Sequence, residues 1–127
     1  MMAKIPSKID FHTQSQQLEL GWGDSSYQLS AEFLRVYSPS AEVRGHGQGN
    51  EVLQHGKQDV RILKLEPVGN YALKIYFDDG HDSGLYNWDY LKDLAENQDH
   101  YWQDYLARLE QAGKTRAGQQ IMFKPVD

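Results

Sequence analysis

The sequence predicts an α+β fold in two layers, built from short antiparallel strands in two pseudo-repeated strand-strand-strand-helix units plus a C-terminal helix. Three observations carry that expectation. Short runs alternate apolar with polar residues, the period of a strand with one buried face. Helix-period runs follow residues suited to cap them, at Ser30 and Asn87. And Leu18-x-Leu20-x-Trp22, turn, Leu29, then Leu34-Arg35 is echoed by Leu73-x-Ile75-x-Phe77, turn, Leu85, then Leu91-Lys92.

Residues 1–7 read as a flexible lead-in, and 8–112 as a single domain. Ile9 and Phe11 open the alternation, and Leu18, Leu20 and Trp22 continue it. Gly23-Asp24-Ser25 signals a turn into Tyr27-Gln28-Leu29. Ser30 caps a short helix over Ala31–Arg35, which Pro39 keeps from continuing. Residues 40–59 hold Gly45, Gly47, Gly49 and Gly56 among scattered charges and read as a long mobile loop. Val60, Ile62 and Leu65 alternate as a strand closed by Pro67 and Gly69, and Tyr71, Leu73, Ile75 and Phe77 form the clearest strand. Asp78-Asp79-Gly80 turns it back into Leu85-Tyr86, and Asn87 caps a helix from Trp88 with Leu91 and Leu94 inward. A last helix runs from about Asp99 to Ala112 with Tyr101, Trp102, Tyr105, Leu106 and Leu109 on one face, stopped at Gly113. The remainder, 113–127, is polar and reads as a poorly ordered tail.

Composition limits the function classes. A chain of 127 residues with 39% hydrophobic content can bury one core. The absence of cysteine excludes disulfides, thiolate metal sites and cysteine nucleophiles. The net charge of −5, without a Lys/Arg cluster, argues against nucleic acid, whose binding needs a positive field. Met1–Asp10 lacks a signal-peptide apolar stretch and no run approaches a membrane span, so the expectation is a cytoplasmic protein without a membrane partner.

The densest polar cluster is Asp78-Asp79-Gly80-His81-Asp82, where three carboxylates and an imidazole could hold a metal or move protons. Its spacing fits neither a calcium loop nor a two-His-one-carboxylate triad, and Asp and Gly equally suit a plain turn. His46, His55 and His81 could together ligate zinc or iron if the loop folds over this turn, though their spacing matches no standard motif. Arg44-Gly45-His46-Gly47-Gln48-Gly49 lacks the Gly-Lys-Ser/Thr of a phosphate loop. Ser38, Ser40 and Ser83 have no nucleophile elbow around them. No catalytic residue emerges. The expected site is instead a protein-binding surface of Arg44, His46, Asp78, Asp79, His81 and Asp82, with no cofactor. The alternative is a metal-binding protein or metalloenzyme using His46, His55, His81 and the 78–82 turn.

Leu34-Arg35 before Ser38-Pro39-Ser40, Arg44-Gly45-His46-Gly47, Glu66-Pro67-Val68-Gly69-Asn70-Tyr71-Ala72, Phe77-Asp78-Asp79-Gly80-His81-Asp82-Ser83-Gly84 and Trp88-Asp89-Tyr90-Leu91 together resemble the gamma-butyrobetaine hydroxylase-like N-terminal domain family over about residues 8–112. The resemblance implies a compact α+β domain, often a freestanding bacterial protein of unknown function. Elsewhere the domain precedes the catalytic barrel of carnitine-pathway oxygenases, or is fused to ATPases that assist iron–sulfur cluster assembly. In the hydroxylases it holds a structural zinc through Cys-x-Cys-x-x-Cys after Leu-Arg, plus a later histidine. Placed here, that motif puts Ser38, Ser40 and Val43 at the cysteine positions and His81 at the histidine. The resemblance therefore implies loss of the zinc site, with at most weak residual zinc or iron affinity through His81, His46 and the carboxylates of Asp78, Asp79 and Asp82.

Overall fold

A computed structural model describes residues 5–40, 43 and 52–118. The strands β1 (Lys8–His12), β2 (Gln17–Trp22) and β3 (Ser25–Ser30) make one antiparallel sheet, and β4 (Ile62–Val68), β5 (Ala72–Phe77) and β6 (Leu85–Asn87) make a second. Each third strand runs directly into a helix: α1 (Ala31–Val36) after β3, and α2 (Trp88–Glu96) after β6. The α+β class and the two repeated units are therefore both present.

The caps explain why each helix begins where it does. Ser30 Oγ accepts the Phe33 N–H at 3.1 Å, and Asn87 Oδ1 accepts the Tyr90 N–H at 2.8 Å. Each satisfies an amide that the first turn leaves without a carbonyl. Counting from the caps, Leu34 and Leu91 occupy equivalent positions, and both are fully buried.

The repeat needs one correction of register. Leu29 lies opposite Leu18 in the first sheet, and the residue opposite Leu73 in the second is Tyr86, not Leu85. Leu85 faces outward at 43% exposure, whereas Tyr86 is fully buried. Side chains alternate faces along a strand, so a shift of one position exchanges inside for outside. Tyr86 also donates its hydroxyl to the Leu34 carbonyl, which ties the second unit to the helix of the first.

One core joins both units. Leu18, Leu20 and Leu29 meet Leu73, Ile75, Phe77 and Tyr86, closed by Leu34, Leu91 and Leu94 from the helices. The last helix, α3 (Gln98–Ala112), stands outside the repeat and packs Tyr105 and Leu109 on Val36 as a smaller cluster. It ends at Gly113, whose φ of 65° is a conformation that suits glycine.

The stretch after Gly113, read from sequence as a loose tail, makes defined contacts as far as residue 118. The Thr115 and Arg116 carbonyls accept the N–H groups of Gly56 and Gln58 at 2.9 Å. The Arg116 guanidinium grips Glu32 with two bonds of 2.9 and 2.7 Å. Glu32 is buried, so pairing with Arg116 meets a need that an isolated carboxylate there could not. On β4, the register shifts between Ile62 and Lys64, leaving Leu63 in a bulge and 69% exposed. No described helix is long and apolar enough to cross a membrane.

Candidate functional site

The Asp78–Asp82 turn and the segment after α1 come together, and they form two layers, one interior and one at the surface. The turn is built by backbone geometry. The Phe77 N–H donates to the His81 carbonyl at 3.0 Å, and Gly80, with φ of 87°, adopts a conformation other residues resist. Across from it, Tyr37 caps α1, the Ser38 N–H reaches the Arg35 carbonyl at 3.3 Å, and Pro39 prevents another helical turn.

The interior layer consists of Ser38, Ser40, Val43 and His81, all buried. Ser38 Oγ lies 2.8 Å from His81 Nε2 and Ser40 Oγ lies 3.3 Å from the same nitrogen. The Val43 N–H donates to the Ser40 carbonyl at 3.1 Å. Gly84 closes the layer from below: a Cβ there would stand 2.4 Å from Ser38 Oγ. Only a residue without a side chain lets β6 approach this closely.

The surface layer centres on Asp79. Its Oδ2 accepts from Arg35 Nε at 2.8 Å and Lys57 Nζ at 2.7 Å, while its Oδ1 accepts the His81 N–H at 3.1 Å. Burial pushes the Asp79 carboxyl up, but the Lys57, His81 and Arg35 bonds together outweigh it and bring the pKa down to about 2. Asp78 has a backbone role, its Oδ1 accepting the Arg61 N–H at 3.0 Å, which pins the start of β4 to the end of β5. Asp82 points outward.

Of the residues expected at the site, Asp78, Asp79 and Asp82 share the turn, and His81 sits behind it, facing inward rather than toward solvent. Arg44 and His46 lie outside the described residues. His55 is exposed, and no group of three or more His, Asp or Glu side chains able to hold a metal occurs among the described residues.

Two chemistries can be tested against this geometry. A zinc ion needs soft or imidazole donors in a tetrahedron, and the four positions offer two hydroxyls already bonded to the imidazole, a valine, and one histidine nitrogen. The residues present do not fit zinc. A serine nucleophile needs a base oriented by a carboxylate and a path for substrate. Ser38 and His81 have the first contact, but Ser38 is 1% exposed and Asp79 is committed to the His81 main chain, Arg35 and Lys57.

Sequence reasoning gave no role to Arg35, Lys57 or Gly84. Arg35 lay within the Leu34-Arg35 pair that recurs at the repeat, yet its partner is 44 residues away and no local pattern names it.

Comparison with known proteins agrees with this reading of the fold. The gamma-butyrobetaine hydroxylase-like N-terminal family matches residues 9–92. Two structures solved by NMR are similar to the chain, at 55% and 47% identity with TM-scores of 0.81 and 0.74, covering 97% and 96% of this chain and 98% and 92% of those. A crystal structure of a protein of unknown function from Acidithiobacillus ferrooxidans is 33% identical with a TM-score of 0.59, over 72% of this chain and 92% of that one. No curated protein matches. With the family matched through both repeat units and the turn between β5 and β6, the chain belongs to the gamma-butyrobetaine hydroxylase-like N-terminal domain family.

Proposed function

We propose that this chain is a non-catalytic binding module whose contact surface is the Asp78–Asp82 turn, together with Lys57, Arg44 and His46. The observation behind the reading is the division of labour at the site. The polar interior residues, Ser38, Ser40 and His81, are turned on one another and shut away, while exposed carboxylates stand on a turn anchored to a rigid sheet. Such a turn presents fixed charge to a partner at little entropic cost. The partner class we favour is a protein of oxygenase or iron–sulfur assembly machinery. That choice draws on the family's association with hydroxylases and rests on analogy.

Crosslinking of the tagged chain in native lysate tests the reading. Recovery of an oxygenase or cluster-assembly component, lost when Asp82 is changed to Lys, is the expected result. Recovery of neither class, or capture indifferent to that substitution, would remove it.

A further inference from the structure

We propose that the cleft between α1 and α3 is a receptor for an arginine side chain of a partner protein, and that Arg116 is its tethered, displaceable occupant. The cleft measures about 280 Å³ and is lined by Glu32 and Phe33 from α1, by Gln98, Asp99 and Trp102 from α3, and by Arg116. It shares none of these residues with the Asp78–Asp82 surface.

The cleft suits a guanidinium on three counts. The Glu32 side chain is only 7% exposed, and its two oxygens accept from Arg116 at 2.9 and 2.7 Å. A planar fork of donors is the group that satisfies both at once. The guanidinium carbon also lies over the Trp102 ring, 5.1 Å from its centroid, and that ring is braced edge-on by Phe33 at 6.3 Å. A carboxylate beside an aromatic face holds a cation that has lost its water. Finally, the lining sets two carboxylates, Glu32 and Asp99, against the one guanidinium of Arg116, so the cleft attracts cations even when filled.

The way Arg116 is attached makes it displaceable. Its side chain is 38% exposed, and Lys114, Thr115, Ala117 and Gly118 around it are all exposed. Besides the ion pair, main-chain bonds from Gly56 and Gln58 hold this 114–118 strap. An incoming arginine remakes the two bonds to Glu32 and the contact with Trp102, so the exchange is nearly like for like. It gains in addition the exposed Asp99 and the part-buried Gln98. The volume falls just short of the about 300–1,000 Å³ of most small-molecule pockets and fits one long side chain. Arginine seated in such a dry pocket is a common anchor of protein interfaces.

The test uses the full chain, unaltered and as Arg116→Ala, with three probes. These are ethylguanidinium, a blocked Gly-Arg-Gly peptide, and the same peptide with citrulline, which has arginine's shape without its charge. The readouts are the Trp102 indole N–H shift and amide exchange at Gly56 and Gln58. The arginine peptide should shift Trp102 saturably in Arg116→Ala, at least about 10-fold more tightly than in the unaltered chain, where Arg116 competes. Ethylguanidinium, lacking the contacts to Asp99 and Gln98, should bind about 10-fold more weakly than the peptide. The citrulline peptide should not bind, and Glu32→Gln in the Arg116→Ala background should abolish binding. In the unaltered chain, excess arginine peptide should quicken exchange at Gly56 and Gln58, because the strap leaves with Arg116. The proposal fails if the arginine peptide leaves Trp102 unmoved in folded Arg116→Ala, or if citrulline or Glu32→Gln makes no difference. Equal affinity for ethylguanidinium and the peptide overturns the assignment to a partner's side chain. If Arg116→Ala does not fold, the unaltered chain decides: unchanged exchange at Gly56 and Gln58 in excess peptide refutes displacement.

Discussion

At the scale of single residues, the buried pair of Ser38 and His81 and the ion pair of Asp79 make separable predictions. Ser38→Ala removes a buried hydroxyl 2.8 Å from His81 Nε2, the shorter of the two serine contacts there, so it should cost about 1–3 kcal/mol in urea unfolding. Gly84→Ala forces a methyl to within 2.4 Å of Ser38 Oγ, with Pro39 and Tyr86 each 3.3 Å away. Because these neighbours are held in place, overpacking of about 1–3 kcal/mol is expected, and Ser38→Ala should relieve part of it in the double variant. Asp79 gives a pH signature. Its folded pKa of about 2 lies below the ordinary carboxylate value of 3.8. A depressed pKa stabilises the fold above the unfolded value, and that contribution is lost as pH falls from about 4 toward 2. Glu19, brought to about 2 by bonds from His12, Lys8 and Ser26, titrates in the same window. The difference between Asp79→Asn and the unaltered chain therefore isolates Asp79: acid midpoints that do not converge as pH approaches 2 would contradict the assignment.

At the scale of elements, the caps carry more than their size suggests. The helix α1 has six residues, too few to persist on intrinsic propensity, and depends on Ser30 and on its buried face. Ser30→Ala should destabilise the domain by about 1 kcal/mol, measured by denaturant midpoint at unchanged slope. The elements were largely legible because alternation and capping are local signals. Ile9 and Phe11, the Leu18–Trp22 run, Asn87 before Trp88 and Gly113 after Ala112 all fall where those signals put them. The exception is instructive. Shared leucine identity aligns Leu85 with Leu29, but strand parity counted from the cap selects Tyr86, whose large ring fills the core while its hydroxyl donates to a carbonyl. Residue type misled where position would not have.

At the scale of the whole molecule, what sequence could not show is what long-range folding assembles. The meeting of Ser38 and Ser40 with His81, and of Arg35 and Lys57 with Asp79, joins segments 22 to 44 residues apart with no periodic trace. The Arg116–Glu32 pair spans 84 residues and turns a polar stretch after α3 into a strap across α1. Arg116→Ala should leave the buried Glu32 carboxylate unpaired and cost about 1–3 kcal/mol by urea titration. Amide exchange at Gly56 and Gln58, whose N–H groups reach the same strap, should quicken with it.

The bulge in β4 has a bearing on solubility. β4 borders its sheet, and such a margin invites a neighbouring molecule to dock its own strand there. The slip between Ile62 and Lys64 interrupts the regular row of donors and acceptors that such docking requires, at the point where the Leu63 side chain faces water.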